Sequence, residues 1–262
     1  MPHFTDGRWP PLQDVGSIAI TTTTRRGAQC ASVSFAIVYI VIQRSENNMT
    51  VIESLNARHS TRAFLPTQIN REKLDIILEA AAHTPSWANS QPWEVFVATG
   101  GTLDRIRKSY KAKYESKAEP APETQRPAQW SEAAKKRQQQ LRPDMARDCG
   151  DAVGQFGELN QAMFYAPAVI YICMDAMLSE WSLYDIGAYS QSIMLAAIEQ
   201  GLATIPAITL MLYPDVLRRE LNIPENLKLT IGIAIGYADK EHGINRFVSG
   251  RKTLEETVNY FE

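Results

Sequence analysis

Pro85-Ser86-Trp87-Ala88-Asn89-Ser90-Gln91-Pro92-Trp93 decides how this chain is read, because it joins a segment of helical periodicity to one with the composition of a strand. Before it, Asn70 is placed to cap a helix whose apolar residues Leu74, Ile77, Leu78 and Ala81 recur at i, i+3, i+4 and i+7, and Thr84-Pro85 ends that helix. After it, residues 93–99 read as a strand. The junction itself is dense in amides and indoles. Carboxamides match the donor and acceptor edge of a flat, pyrimidine-like ring, and an indole supplies apolar contact area. The competing reading makes Trp87 and Trp93 hydrophobic anchors and leaves the amides to satisfy turn backbone.

Upstream lies Arg58-His59-Ser60-Thr61-Arg62. In an extended chain residues i, i+2 and i+4 share a side, so Arg58, Ser60 and Arg62 point together. Two guanidinium groups and a hydroxyl suit a phosphate, whose oxygens take charge-assisted and bidentate bonds. A plain surface turn at a helix end is the alternative. Thr50-Val51-Ile52-Glu53 has the form of a capping box, so organised structure is expected to start there. Residues 1–48 differ in character, with a Pro-rich start, four threonines at 21–24, one apolar run at 35–42 and a polar stretch. They read as a poorly ordered appendage to a domain spanning 49–262, with Met49 as the authentic start.

Downstream, 103–117 reads as a helix and 118–148 as a polar, Pro-interrupted insertion whose Lys135, Lys136, Arg137, Arg142 and Arg147 form a solvated face. Residues 152–164 are helical in pattern, and Pro167 introduces a buried strand at 169–174. A long helix follows, its face marked by Ile186, Tyr189, Ile193, Met194, Ala197 and Ile198, with Gly201 where a left-handed cap is wanted. Strands at 203–208 and 227–235 flank a short helix at 213–221. Few strands among many helices indicate an α+β fold. No glycine-rich nucleotide fingerprint supports a Rossmann or P-loop reading.

The 262 residues carry 27 Lys and Arg against 29 Asp and Glu, with 45% hydrophobic residues, which excludes disorder as the dominant state. A formal net charge of -2 creates no global field that would recruit nucleic acid or an anionic membrane. The apolar run 35–42 falls short of the roughly 20 residues of a spanning helix. Arg25 and Arg26 precede that run, but it lies late, and 43–48 offers no small-residue cleavage site, so a cytoplasmic protein is expected. Cys30, Cys149 and Cys173 form no CxxC and are odd in number, which argues against a disulfide framework; Cys173 reads as a small buried hydrophobe. His3, His59, His83 and His242 lack metal-ligand spacing, and no Ser-His-Asp or Cys-His arrangement suggests a covalent nucleophile.

Taken together, Arg-x-Ser-x-Arg at 58–62 and Pro-Ser-x-x-Asn-x-Gln-Pro-Trp at 85–93 resemble the nitroreductase family. The likeness continues through Asp185-Ile186-Gly187, residues 191–197, Gly201-Leu202, residues 231–237 and residues 245–251. The resemblance implies an FMN-dependent homodimer, intertwined, with a central antiparallel sheet flanked by helices and a flavin at each subunit interface. Arg58, His59, Ser60 and Arg62 would hold the phosphate and ribityl region, with Arg251 completing the phosphate site. Pro85, Ser86, Trp87 and Asn89 would meet the flavin from the partner subunit, and Gln191 is a further contact.

By the same likeness Pro206, Ala207 and Ile208 would line the flavin ring through backbone N–H groups, although the Glu-Gly pair of some members is absent. The implied activity is reduction of nitroaromatic or quinone-like acceptors by NAD(P)H in a ping-pong cycle, with the flavin carrying the chemistry and no metal. Trp87, Phe156 and Tyr165 are candidate acceptor contacts, with Phe164 a further aromatic that would close the pocket in this reading. The 118–148 insertion resembles that of the nitrobenzoate- and dinitroaniline-reducing branch. Alternatives on the same scaffold are a flavin-dependent dehydrogenase or dehalogenase, and a non-catalytic flavin-binding protein.

Overall fold

The computed structural model describes residues 49–262; the expectations for 1–48 lie outside the described residues. The first element, α1 (Val51–Ala57), opens with the capping box as read: Thr50 Oγ1 accepts from the Glu53 N–H, and the Glu53 carboxylate accepts from the Thr50 N–H. In α2 (Arg71–Ala81) the Asn70 side chain accepts from the Glu72 N–H, and Leu74, Ile77 and Ala81 are buried while Leu78 is half-buried.

Four strands, β1 (Glu94–Thr99), β2 (Ala168–Asp175), β3 (Ala203–Ala207) and β4 (Leu227–Gly236), form a sheet in the order β1-β2-β4-β3 with every pair antiparallel. The central strand β2 is buried on both faces, and its side chains alternate between two cores. Ala168, Ile170, Ile172 and Met174 face α2 and the long helix α6 (Glu180–Glu199). Val169, Tyr171 and Cys173 face the other layer, built from α3 (Gly100–Glu115), α4 (Glu132–Cys149), α5 (Phe156–Gln161) and α7 (Pro214–Leu221). Burial pushes the Cys173 thiol up to about 12, consistent with an apolar rather than a reactive role.

The register of β2 against β4 shifts between Ile172 and Cys173, which leaves Thr230 as an extra residue whose hydroxyl donates to the Ile172 carbonyl at 2.6 Å. A bulge of this kind moves later residues to the opposite face. Leu229 accordingly joins one core and Ile233 the other.

Two stretches depart from the sequence reading. Within 118–148 the chain forms α4, eighteen residues that run through Pro143 between a Ser131 cap and Gly150. The helix is largely exposed, so water can take the carbonyl that Pro143 leaves without a donor. The stretch 152–164 is not one helix. It is α5 followed by Met163, Phe164 and Tyr165 at φ 53°, 58° and 54°, a left-handed turn costly for residues with a Cβ. Arg107 closes it, donating from Nε to the Ala162 carbonyl and from Nη2 to the Ala166 carbonyl. Tertiary capture of those two carbonyls overrides the local helical pattern.

Candidate active site

The 58–62 segment is placed by backbone. Ser60 bridges Thr204 in parallel, and the Thr61 N–H donates to the Thr204 carbonyl, so the segment runs beside β3 two residues ahead of Pro206. Asn245 fastens its far end. Its Oδ1 accepts from the N–H groups of Arg62 (2.7 Å) and Ala63 (3.2 Å), and its Nδ2 donates to the carbonyls of Ala63 and Asp239, both at 2.8 Å. All four bonding positions of the amide are filled, which fixes its orientation.

Arg62 is therefore held inward. Its guanidinium lies 6.0 Å from the Phe156 ring centre and 5.4 Å from that of Phe247, and Nη1 donates to the Ser60 carbonyl at 3.0 Å. Its Nε is buried with no acceptor among the described residues. Burial lowers the Arg62 pKa, an effect the nearby Cys149 opposes, yet a guanidinium keeps its charge in a protein. A desolvated cationic donor without an acceptor is suited to a carbonyl or anionic oxygen of a ligand. Arg58 stands at the C-terminal cap of α1, and His59 Nδ1 lies 3.0 Å from the Ala57 carbonyl.

Pro206 and Ala207 end β3, a sheet edge, where a residue without an N–H is tolerated. Ile208 begins a short turn, and Thr209 within it donates to Asn160 Oδ1 at 3.3 Å. Gly232 is required beneath this turn, since a Cβ there would meet the Leu210 Cβ at 2.7 Å.

The 85–93 loop is placed by side chains of α6. Asp185 Oδ2 accepts from the Trp87 N–H at 3.2 Å, Tyr189 stacks on Trp93 at 4.5 Å with planes 6° apart, and Ser192 Oγ accepts from Thr84 Oγ1 at 2.7 Å. Residues 185, 189 and 192 stand at i, i+4 and i+7, a single stripe of the helix. Inside the loop, Ser86 Oγ accepts from the Gln91 N–H at 2.9 Å and Asn89 Oδ1 accepts from Gln91 Nε2 at 3.1 Å. Ala88, Asn89 and Gln91 have φ of 50°, 56° and 43°. Such values persist only where the surroundings over-determine them.

The two readings of the loop indoles each describe one residue: Trp93 is an anchor against Tyr189, whereas Trp87 is 66% exposed. With Ser90, Met177, Leu178 and Trp181, Trp87 lines an open cleft of about 700 Å³.

The structure thus brings Ser60, Arg62, Phe156 and Phe247 together, with β3 leading into Pro206, Ala207 and Ile208. Pro85, Ser86, Trp87 and Asn89 belong to the loop fixed on α6. Gln191 is half-buried on the same helix. Arg251 is exposed, and its guanidinium donates to Ser249 and Gly250 rather than joining Arg58 or Ser60. Tyr165 is exposed and donates to Glu158 at 2.6 Å, a bond that raises its pKa; Phe164 is core.

Asp185, Asn245 and Ser192 position these segments although residue chemistry alone assigned them no role. Asp185 carries a sequence signal, a carboxylate on the apolar stripe with Ile186 and Tyr189. For Asn245 the signal is its place in the 245–251 stretch rather than its own chemistry, because its four bonds reach residues 62, 63 and 239.

Comparisons with known proteins bear on the family and the fold. The model of the nitroreductase family matches residues 55–237. The chain is 30% identical over 215 residues to a chloronitrobenzene nitroreductase of Comamonas testosteroni, covering 78% of this chain and 93% of that protein. It is 28% identical over 212 residues to the nitroreductase NfnB of Mycolicibacterium smegmatis, covering 79% and 90%. Among solved structures, the FMN and NADPH-dependent nitroreductase NfnB from Sphigopyxis sp. strain HMH superposes with a TM-score of 0.76 at 28% identity, over 82% of this chain and all of the other. With 58–62 and 85–93 both built as ordered segments, and the family model spanning them and the whole sheet, the chain belongs to the nitroreductase family.

Proposed function

We propose that this chain, as a homodimer, is an FMN-dependent oxidoreductase that uses NAD(P)H to reduce nitroaromatic or quinone-like acceptors in a ping-pong cycle. The observation that carries the reading is the buried, acceptor-free Nε of Arg62 beside Ser60, on a segment stapled to β3 and Asn245. FMN, when bound, supplies the hydride and electron chemistry. Arg58, His59, Ser60 and Arg62 would hold its phosphate and ribityl chain, with Arg251 of the C-terminal segment completing the phosphate site. Pro206, Ala207 and Ile208 line the ring. Pro85, Ser86, Trp87 and Asn89, with Gln191, meet it from the partner subunit.

The nicotinamide and the acceptor use one open pocket in turn, so no covalent nucleophile is needed. Trp87 and Phe156 supply apolar walls for a flat ring, and Tyr165 stands at the margin. Free, buried Cys149 and Cys173 fit a reducing cytoplasm, and no helix among the described residues is long and apolar enough to cross a membrane.

The test is anaerobic. NADPH should bleach the flavin band of the FMN-loaded protein, and 4-nitrobenzoate added afterwards should restore it. A reduced flavin that nitroarenes leave reduced would contradict the nitroaromatic assignment.

A further inference from the structure

Asp185 is 3% exposed and lies on the face of α6 that is otherwise occupied by Ser182, Ile186, Tyr189 and Ser190. Withdrawing a carboxylate from water is costly unless bonds replace the lost hydration. Among the described residues its hydrogen bond comes from the Trp87 N–H, in the middle of the loop with three positive-φ residues. The other two tethers of the loop, Thr84 to Ser192 and Trp93 to Tyr189, hold its ends, whereas Asp185 reaches the turn between them.

We propose that Asp185 is a positioning residue for the flavin and acceptor site, acting through the Trp87 backbone to lock the 86–91 turn in its strained, binding-competent form. This rests on the functional reading above, and it adds a residue that touches neither cofactor nor substrate. The pre-set turn avoids an ordering cost that FMN binding would otherwise bear. The indole of Trp87, 66% exposed, is presented at the mouth of the cleft only while its backbone is pinned.

The experiment compares wild type, Asp185→Ala and Asp185→Asn by FMN titration, thermal melting and hydrogen exchange, with and without FMN. Asp185→Ala should raise the FMN Kd by about tenfold, the size of one lost hydrogen bond to a charged group, and should speed exchange selectively across 86–91. Asp185→Asn keeps an oxygen that accepts the Trp87 N–H, so it should hold FMN affinity within about twofold of wild type. Equal FMN affinity in Asp185→Ala and wild type would overturn the proposal. So would a loss shared by both variants that follows a general drop in Tm without selective exchange.

Should Asp185→Ala fail to fold, Trp87→Pro removes the same N–H from the exposed side, with Trp87→Ala as its control. A further loss of FMN affinity in the proline variant is expected, and no further loss would overturn the proposal. Wild-type protein that takes up no FMN would contradict the functional reading, while selective 86–91 exchange in Asp185→Ala would still support the anchor.

Discussion

The 58–62 segment is fixed by backbone pairing to β3 and by one saturated amide, whereas the 85–93 loop is fixed by three side chains on a single stripe of α6. The difference has consequences. A segment held by ladder bonds tolerates side-chain change and exposes its own side chains for binding. A loop held by side chains can be released by one substitution while the sheet stays intact. The first arrangement suits groups that grip a fixed anionic tail; the second suits a wall that must accept different visitors.

The largest effect should come from the amide staple. Asn245→Ala removes four hydrogen bonds at once and should cost roughly 3 kcal/mol of stability, with loss of FMN retention, in denaturant titration. A cost below about 1 kcal/mol would mean the 58–62 segment stands without it. Next, Arg58→Ala should leave Tm nearly unchanged and weaken FMN binding by about 1.5–3 kcal/mol, the range for a bond to a charged group. Undiminished retention would remove Arg58 from the phosphate site.

On the loop side, Trp93→Ala strips the ring stacked on Tyr189 and should lower stability by about 2 kcal/mol. Trp87→Ala should change stability by less than about 0.5 kcal/mol, as expected for an exposed residue, while raising the acceptor KM more than it lowers kcat. Equal melting losses for the two indoles would erase the distinction between anchor and wall.

Much of this was legible in the sequence where the signal is local. The Thr50 box, the α2 stripe, the buried apolar run of β2 and the left-handed Gly201 (φ 70°) follow from short-range chemistry. The motif at 58–62 reads in the sequence as a phosphate grip; in the structure Arg62 keeps a buried Nε without an acceptor among the described residues, while Arg251 donates to Ser249. What escaped was long-range. The break after α5 depends on Arg107, some fifty residues earlier in the chain, capturing the Ala162 and Ala166 carbonyls. The persistence of α4 through Pro143 depends on solvent along an exposed helix. Asp185 could be seen as an anomaly on an apolar face, but its purpose required the Trp87 N–H to be brought beside it.

The central claim is that the 58–62 segment grips the tail of FMN. Its most direct measurement is the absorbance spectrum of the purified protein after incubation with FMN and gel filtration. The account predicts a retained flavin band at one FMN per chain, diminished in Arg58→Ala. A colourless wild-type protein, with no flavin band after incubation, would contradict it.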